Sequence, residues 1–473
     1  MLAGFLDIKK AYDTVDRKML ARILERLGLD GKILNWLKQF LLGKRSGKVI
    51  YEGCKSEDIF FERGVPQGSP LSPLLFNIYI REIEDFNEQK ILQFADDVVI
   101  WERDKDAKAA TDRINARLSR INQWSKEVGL AFSPQKCKVI IFSRKNKLIR
   151  HPVYFGEDIL QYTKEVKYLG LSLDERLTWR KHVNNVVEKC NKRIGLLRYL
   201  CNKNNLNQKI AITLYKTLIR PVIEYGIEIY GDVYKTGVKK LESIQHRSLT
   251  TALGVNRLAH RRHVEIETGV EPLLLRFDIK IFKTYQRIRI RKQLKNLIKV
   301  KNKNRLKFSS KKSFKEKISD LKKKYKNILN ANEKDLQEMI QLEWKKTISA
   351  TKYETRNECY TENNHNKIEY KEISQSRKIN KVWYQARLGV MQSKEFLKSI
   401  GRSKEEKCSK CGETETLEHI LLKCKEYEDI RENRINELKV LLNQDRPPPE
   451  KVQTAQRIAE IFSRRKRGRE EHT

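Results

Sequence analysis

The sequence predicts an α+β fold over about its first 175 residues, followed by a long, mainly helical region. Three observations predict it. In the first part, short apolar runs suited to strands share the chain with stretches of 3.6-residue period, without the regular strand–helix–strand alternation of a parallel sheet. Beyond about residue 175 the strand-like runs cease and long amphipathic stretches take over. The chain, at 473 residues, is too long for one ordinary domain, so two to four folded units are expected.

Residues 2–8 (LAGFLDI) are an apolar run with an acid near its end, which reads as a buried strand. From Arg17 to Leu42, apolar residues recur as Leu20, Ile23, Leu24 and Leu27, then Ile33, Leu34, Leu37, Phe40 and Leu41. Gly28 and Gly31 divide that stretch into two helices. Residues 47–62 alternate and are bounded by glycines, which suggests a hairpin. A Gly/Pro-rich loop, GVPQGSPLSP (64–73), feeds an apolar helix, LLFNIYIREIEDF. In ILQFADDVVIW (91–101) two apolar runs flank a pair of acids, the pattern of a hairpin that turns at the acids. Ile114, Leu118, Ile121 and Trp124 are spaced for a helix packed on a sheet, and KCKVIIFS (136–143) is another strand.

The rest reads as helix. Residues 178–218 form long amphipathic stretches, and 219–290 continue them with short breaks near Pro221 and Pro272. Residues 291–327 hold sixteen Lys/Arg against two acids, which makes them either a solvated linker or a phosphate-tracking helical surface. Residues 328–405 are polar and mostly helical, with a weak apolar patch at Val382–Val390, and a Cys/His cluster falls within 406–425. The tail carries RRKRGRE (464–470), a weak match to a nuclear import signal.

Composition narrows the function. The net charge is +38, a self-repulsion usually carried for a polyphosphate partner, whose condensed counterions are released when cations bind it. A merely soluble basic protein, or one drawn to anionic lipid, is the alternative. No window approaches the apolar length of a membrane span, and MLAGFLDIKKAYD lacks the shape of a secretory signal. A nuclear and cytoplasmic location is therefore expected. Eight cysteines are too few and too scattered for a disulfide scaffold, and Cys54, Cys137, Cys190 and Cys201 read as reduced thiols.

Joining a nucleotide to a primer 3′-hydroxyl calls for two divalent ions about 3.5–4 Å apart, held by oxygen ligands. Two or three carboxylates must then converge at one end of a sheet. Asp7 at a strand end and Asp96-Asp97 at a hairpin turn have that character, although a lone DD pair is more often just an acidic turn. Near the C-terminus, Cys408, Cys411, His419 and Cys424 form C-x2-C-x7-H-x4-C. Three thiolates and an imidazole make a full tetrahedral set for structural Zn2+, with no open position for catalysis; chance spacing is the alternative.

Co-occurrence in order decides between these readings. The runs FLDIKKAYDTVD (5–16), GVPQGSPLSP (64–73), FADD (94–97), GLAFSPQKCKVIIF (129–142) and YLGLSLD (168–174) together resemble the reverse transcriptase family, and among its members the non-LTR retrotransposons of the jockey type. They correspond to the motifs lettered A to E.

That resemblance implies an RNA-directed DNA polymerase using RNA template, DNA primer or target, deoxynucleoside triphosphates and two Mg2+ ions. It implies a palm at 1–175, a thumb and post-thumb helical region at 176–290, a basic helical linker region at 291–405, a zinc module at 406–430 and a basic tail at 431–473. Asp7 and Asp96 would ligate both ions, with Asp97 in support. Tyr12 would be the steric gate against a ribose 2′-hydroxyl, unless it is simply a packed core tyrosine. Asp13 and Asp16 read instead as caps of the helix starting near Arg17.

Gly64 and Gly68 would let the backbone approach a substrate, with Gln67 contacting nucleotide and template. Lys136 would meet the pyrophosphate leaving group, or be an ordinary surface lysine. Tyr168, Leu169 and Gly170 would form the primer grip. Trp179, His182, Arg193 and Arg198 would belong to a thumb that holds duplex through its phosphates. The Cys/His module resembles one thought to bind RNA in the same retrotransposon group, but its spacing departs from the retroviral knuckle. The family's fingers region precedes the strand of Asp7, and this sequence starts six residues before Asp7. A catalytically impaired nucleic-acid-binding remnant is therefore the alternative expectation.

Overall fold

The computed structural model describes residues 1–84, 90–203, 205–231, 235–290, 314–325, 370, 373–431 and 455–464, with single positions or short runs at 335, 338–339, 342–344, 346 and 453. Most of the lysine-rich stretch and most of the basic tail lie outside the described residues. The chain divides into two compact units, Met1–Lys181 and His182–Thr473.

The first unit is built on a five-stranded sheet. Its strands are β1 (Leu2–Asp7), β6 (Ile91–Phe94), β7 (Asp97–Glu102), β8 (Lys138–Ile141) and β11 (Gln161–Tyr162), in the order β11-β8-β1-β7-β6. All neighbours are antiparallel except β11 on β8. β1 is central, pairing β7 from Leu2↔Glu102 to Asp7↔Asp97 and β8 from Leu2↔Ile141 to Phe5↔Lys138.

Side chains alternate across a strand, so the sheet separates two cores. Leu2, Leu6, Val98, Ile100 and Val139 join the main core, which also takes in helices α2 (Arg17–Arg26), α3 (Gly31–Leu42), α4 (Ser72–Tyr79) and α5 (Ala107–Val128). Ala3, Phe5, Trp101 and Ile140 face the other way, where Val166 and Leu173 of the hairpin β12–β13 (Glu165–Tyr168, Leu171–Asp174) cover them. The fold class is α+β, as the patterning predicts.

The local signals act where the sequence puts them. Asp16 caps α2, its Oδ1 accepting from the amides of Lys18 and Met19, each at 2.9 Å. Gly28, at positive φ, lies between α2 and α3, and Gly31, also at positive φ, opens α3. Ile114, Leu118, Ile121 and Trp124 line the buried face of α5, which is capped by Asp106 and ends on Gly129. Residues 46–60 form two nested antiparallel pairs, β2 (Ser46–Gly47) with β5 (Ile59–Phe60) and β3 (Ile50–Tyr51) with β4 (Cys54–Lys55). Glu102 is 0% exposed on the helix side of β7 and is neutralised by Lys90 (3.1 Å), Arg113 (3.5 Å) and Arg117.

The second unit is helical in its described residues. α6 (Arg180–Lys203), which starts just before the division, leads to α7 (Gln208–Leu214), a π-turn at Tyr215–Ile219, α8 (Arg220–Glu224), α9 (Ile227–Tyr230), α10 (Lys235–Leu253), α11 (Arg261–Thr268) and α12 (Leu273–Ile290). Pro221 sits in the first turn of α8, where a missing N–H costs nothing. The break expected near it falls instead at Tyr225 and Gly226. A buried polar chain links three helical segments of this second unit: Tyr215 donates to Gln245 Oε1 (2.6 Å), and Gln245 Nε2 donates to Glu265 (2.9 Å). Arg377, at the start of the helix Arg377–Arg387, donates to the carbonyls of Leu206 (2.7 Å), Ala252 (3.0 Å) and Thr251 (3.1 Å). That fastens the 373–391 segment to the helices before it.

One expectation is corrected here. His182 and Trp179 are buried, so neither presents itself to a phosphate, whereas Arg193 and Arg198 are exposed. The His182 ring packs edge-on against Tyr230 at 4.6 Å. Burial, with Lys189 adding repulsion, pushes its pKa down to about 4, and burial beside His260 does the same to His263. A histidine with a depressed folded value binds its proton more readily unfolded, so stability falls as pH drops below the ordinary 6.5 toward 4. Denaturant titration of the full chain between those limits is expected to show a loss of stability toward acid pH, shallower in His182→Phe; an identical pH dependence in that variant contradicts the account.

Candidate active site

Strand period and register bring the acids together. Ala3, Phe5 and Asp7 share one face of β1, and Asp97, Val99 and Trp101 share one face of β7. Asp7 and Asp97 are direct register partners at the strand ends. Phe94↔Asp97 closes the β6–β7 hairpin, so Ala95 and Asp96 form its two-residue turn, with Ala95 at φ 51°. The DD pair is therefore split: one acid sits in the turn and the other in the strand. The Asp97 carboxyl is raised above its ordinary value by burial, then by Asp96 and Asp7. Asp96 and Asp7 thus stand near enough to Asp97 to disfavour its charge, and carboxylates are the ligands that a hard divalent cation takes.

The surroundings are fastened to β1. The segment 131–137 runs along its end: Lys9 N donates to Ala131 O (2.8 Å), Ser133 N to Asp7 O (2.9 Å), and Asp7 N to Cys137 Sγ (3.4 Å). Burial pushes the Cys137 thiol up to about 11, so it stays protonated. Lys136 follows the turn after Ser133, and its Nζ stands 3.6 Å from Asp7 Oδ2. Tyr168 stacks edge-on against Phe5 at 5.4 Å, and its phenol is raised by burial and by Asp97. Leu169 (φ 44°) and Gly170 (φ 79°) make the tight turn after it, of the hand that two-residue hairpins favour. The three residues expected to grip a primer therefore sit on the carboxylate face of the sheet.

The loop after residue 63 is bonded to the segment that follows β1, Gly64 N donating to Val15 O (2.8 Å) and Val65 N to Tyr12 O (2.9 Å). Tyr12, in the short helix α1 (Ala11–Thr14), stacks on Phe76 with ring centroids 4.8 Å apart and is only partly buried. Gly64 does meet a close neighbour, but that neighbour is α1: an added Cβ would lie 2.9 Å from the Asp13 backbone and 3.0 Å from Tyr12 O. The substrate-approach expectation is thus revised for Gly64. It holds open for Gly68, where a Cβ would meet nothing within 4 Å.

Arg17, buried, donates to the carbonyls of Gly64 and Arg63, each at 2.8 Å. Gln67 Nε2 donates to Asp13 Oδ1 at 3.0 Å. Asp13 is therefore not a helix cap. Its contact with Gln67 went unseen in the sequence, where the one available signal was that Asp16, immediately before α2, already fills the cap position.

The pattern of the family described as "Reverse transcriptase (RNA-dependent DNA polymerase)" matches residues 2–173. These residues are a reverse transcriptase domain. All three candidate acids and the Gln67 loop fall inside it. The chain is 30% identical over 278 residues to the RNA-directed DNA polymerase from mobile element jockey of Drosophila funebris, covering 56% of this chain and 30% of that protein. The jockey polymerase of Drosophila melanogaster is 26% identical over 281 residues, 58% of this chain and 30% of that protein. A Pol polyprotein from a type-1 retrotransposable element of Nasonia vitripennis is 28% identical over 222 residues, 44% of this chain and 65% of that protein. The chain spans about three tenths of the length of the two jockey proteins.

Outside the reverse transcriptase domain, the Cys/His residues do converge. The ligand atoms of Cys408, Cys411, His419 and Cys424 lie within 4.8 Å of one another, with Cys411 Sγ 3.2 Å from His419 Nε2 and Cys408 Sγ 4.0 Å from Cys424 Sγ. Gly412, at φ 78°, turns the chain so that its amide donates to Cys408 O (3.0 Å). Glu413 Oε2 stands 3.0 Å from His419 Nδ1, the carboxylate partner that commonly orients a ligating imidazole. Burial raises the Cys424 thiol to about 12, helped by Cys408 and Cys411. Among the described residues this is the one group of three or more Cys, His, Asp or Glu side chains drawn close enough to hold a metal ion as they stand; Asp7, Asp96 and Asp97 do not form such a group.

A carboxyl raised in the folded state costs that state stability once pH climbs past the ordinary 3.8. Asp97→Asn is expected to raise the melting temperature modestly at pH 7 and to leave it unchanged at about pH 2, where carboxyls are protonated. A lower melting temperature at neutral pH would mean that the three acids do not repel one another.

Proposed function

We propose that this chain is an RNA-directed DNA polymerase, with Met1–Lys181 its palm and the helices after it a thumb that tracks duplex phosphates through Arg193 and Arg198. The observation that carries the reading is the Asp7↔Asp97 register pair with Asp96 in the adjoining turn, inside a domain of this family. The substrates are an RNA template, a DNA primer or nicked target, and deoxynucleoside triphosphates. No described helix is long and apolar enough to cross a membrane. Work on chromosomal DNA fits a protein made in the cytoplasm that acts in the nucleus.

Asp7, Asp96 and Asp97 would hold two Mg2+ ions, which when bound activate the primer 3′-hydroxyl and neutralise the triphosphate. The protein's own residues prepare everything else. Tyr168, Leu169 and Gly170 hold the primer end on the carboxylate face. Tyr12, wedged on Phe76, fills the space a ribose 2′-hydroxyl would need. Gln67 and Gly68 meet the incoming nucleotide and its template base, Gly68 by leaving room. Lys136 shields Asp7 until substrate arrives and then stands near the departing pyrophosphate. Cys408, Cys411, His419 and Cys424 would hold a structural Zn2+ that shapes the 406–430 segment as a nucleic-acid-binding module.

Primer extension on oligo(dT)/poly(rA) with Mg2+ tests the polymerase. Removing a ligand of ions that supply several kcal/mol of transition-state stabilisation should cut the rate roughly 1,000-fold, so Asp96→Ala is expected to abolish visible extension. Wild-type protein that binds the duplex in a salt-sensitive way but never extends it rejects the proposal. For the module, metal analysis of purified protein is expected to find one zinc per chain, lost in Cys408→Ser; zinc-free wild-type protein would end that part of the reading.

A further inference from the structure

We infer that Asp13 is a positioning residue for Gln67, fixing which atom of the Gln67 amide faces the incoming nucleotide. The inference rests on the polymerase reading of the Gln67 loop. Its starting point is that the loop and helix α1 are one piece of structure. Gly64 N donates to Val15 O (2.8 Å) and Val65 N to Tyr12 O (2.9 Å). Arg17 binds the carbonyls of residues 63 and 64 from below, and Gly64 lies so close to the Asp13 backbone that no other residue fits. Ser72 Oγ donates to Pro66 O at 2.6 Å and holds the loop's far side to α4. With the backbone fixed at both ends, the freedom left to Gln67 is that of its side chain.

A glutamine amide has two faces of opposite character, an NH2 that donates and an oxygen that accepts. Left free, it can present either to a ligand. A carboxylate can only accept, so Asp13 draws the amide nitrogen to itself, at the observed 3.0 Å, and turns Oε1 away. One amide hydrogen is taken by Asp13, and Gln67 then presents Oε1 as an acceptor for a hydrogen-bond donor on the nucleotide. Beside it, the backbone at Gly68 (φ 92°) leaves open space for that ligand. Both side chains are exposed before substrate binds, so the bond orders Gln67 in advance and lowers the entropy lost on binding.

The arrangement can be reversed chemically. In the double variant Asp13→Asn/Gln67→Glu, the new Asn amide donates to the new Glu carboxylate, the net charge equals that of the wild type, and an acceptor oxygen still faces outward. Gln67→Glu alone sets two carboxylates against each other.

Single-nucleotide extension by the full chain should show KM for the deoxynucleotide raised about five-fold in Asp13→Ala, the worth of one ordinary hydrogen bond, with kcat little changed. Gln67→Glu should be worse, and the double variant should recover most of that loss. Melting temperatures should match the wild type, because both residues are exposed. An unchanged KM in Asp13→Ala, or a double variant no better than Gln67→Glu, overturns the inference.

A second arm needs no chemistry: deoxynucleotide affinity of the complex with a dideoxy-terminated primer on its template, read as stabilisation of that complex on native gels. The same about five-fold loss in Asp13→Ala is expected there. Unchanged affinity, or no nucleotide binding by any variant, overturns the inference. Wild-type protein that binds nucleotide in this way but extends nothing would sink the polymerase reading and leave the role of Asp13 standing.

Discussion

The pairing of β1 with β7 is the constraint on which the rest of the first unit depends. It runs antiparallel and in register for the whole length of β1, from Leu2↔Glu102 to Asp7↔Asp97. Because side chains alternate, one register sends Leu2, Leu6, Val98 and Ile100 into the large core and sends Asp7 and Asp97 to the opposite face. A slip of one residue would bury an aspartate among leucines and expose the core. The free energy of the core therefore enforces the geometry of the acids, and no separate device is needed to bring them together.

The same alternation puts one buried acid on the helix side and Asp7 and Asp97 on the other, with Asp96 in the adjoining turn. Glu102 points into the core and is matched by Lys90, Arg113 and Arg117. Asp7 stands 3.6 Å from Lys136, whose side chain is mostly exposed. Charge is balanced around the buried acid and less so around the three at the strand ends, as the proposed cation site calls for. The Cys/His cluster in the second unit repeats this logic with softer ligands, adding Glu413 to orient His419.

Much of this was legible in the sequence because it is local. The strand at 2–7, the split at Gly28 and Gly31, the buried face of α5, the β6–β7 hairpin and the Cys/His spacing are each fixed by residues close together in the chain. What escaped depends on distant partners. Asp13 reads as a cap until Gln67 returns to it from 54 positions away. Gly64 reads as a place for substrate until α1 is seen occupying it. His182 reads as part of a helix that meets duplex phosphates, and its packing on Tyr230 shows it instead to be a core residue. Pro221 misleads for a different reason: proline starts a helix as readily as it stops one, and periodicity does not distinguish the two.

The nested ribbon at residues 46–60 has a consequence for the molecule's behaviour in company. Its strands are two residues long, and Val49, Ile50, Tyr51, Ile59 and Phe60 are all exposed. A longer apolar ribbon of this kind would recruit identical chains edge to edge into a growing sheet. Here Lys48, paired with Asp58, and Lys55 interrupt it, and the brevity of each strand leaves a second copy few amides to pair with. Short strands and these lysines are devices that discourage such pairing, so an apolar residue in place of Lys48 or Lys55 would weaken the protection.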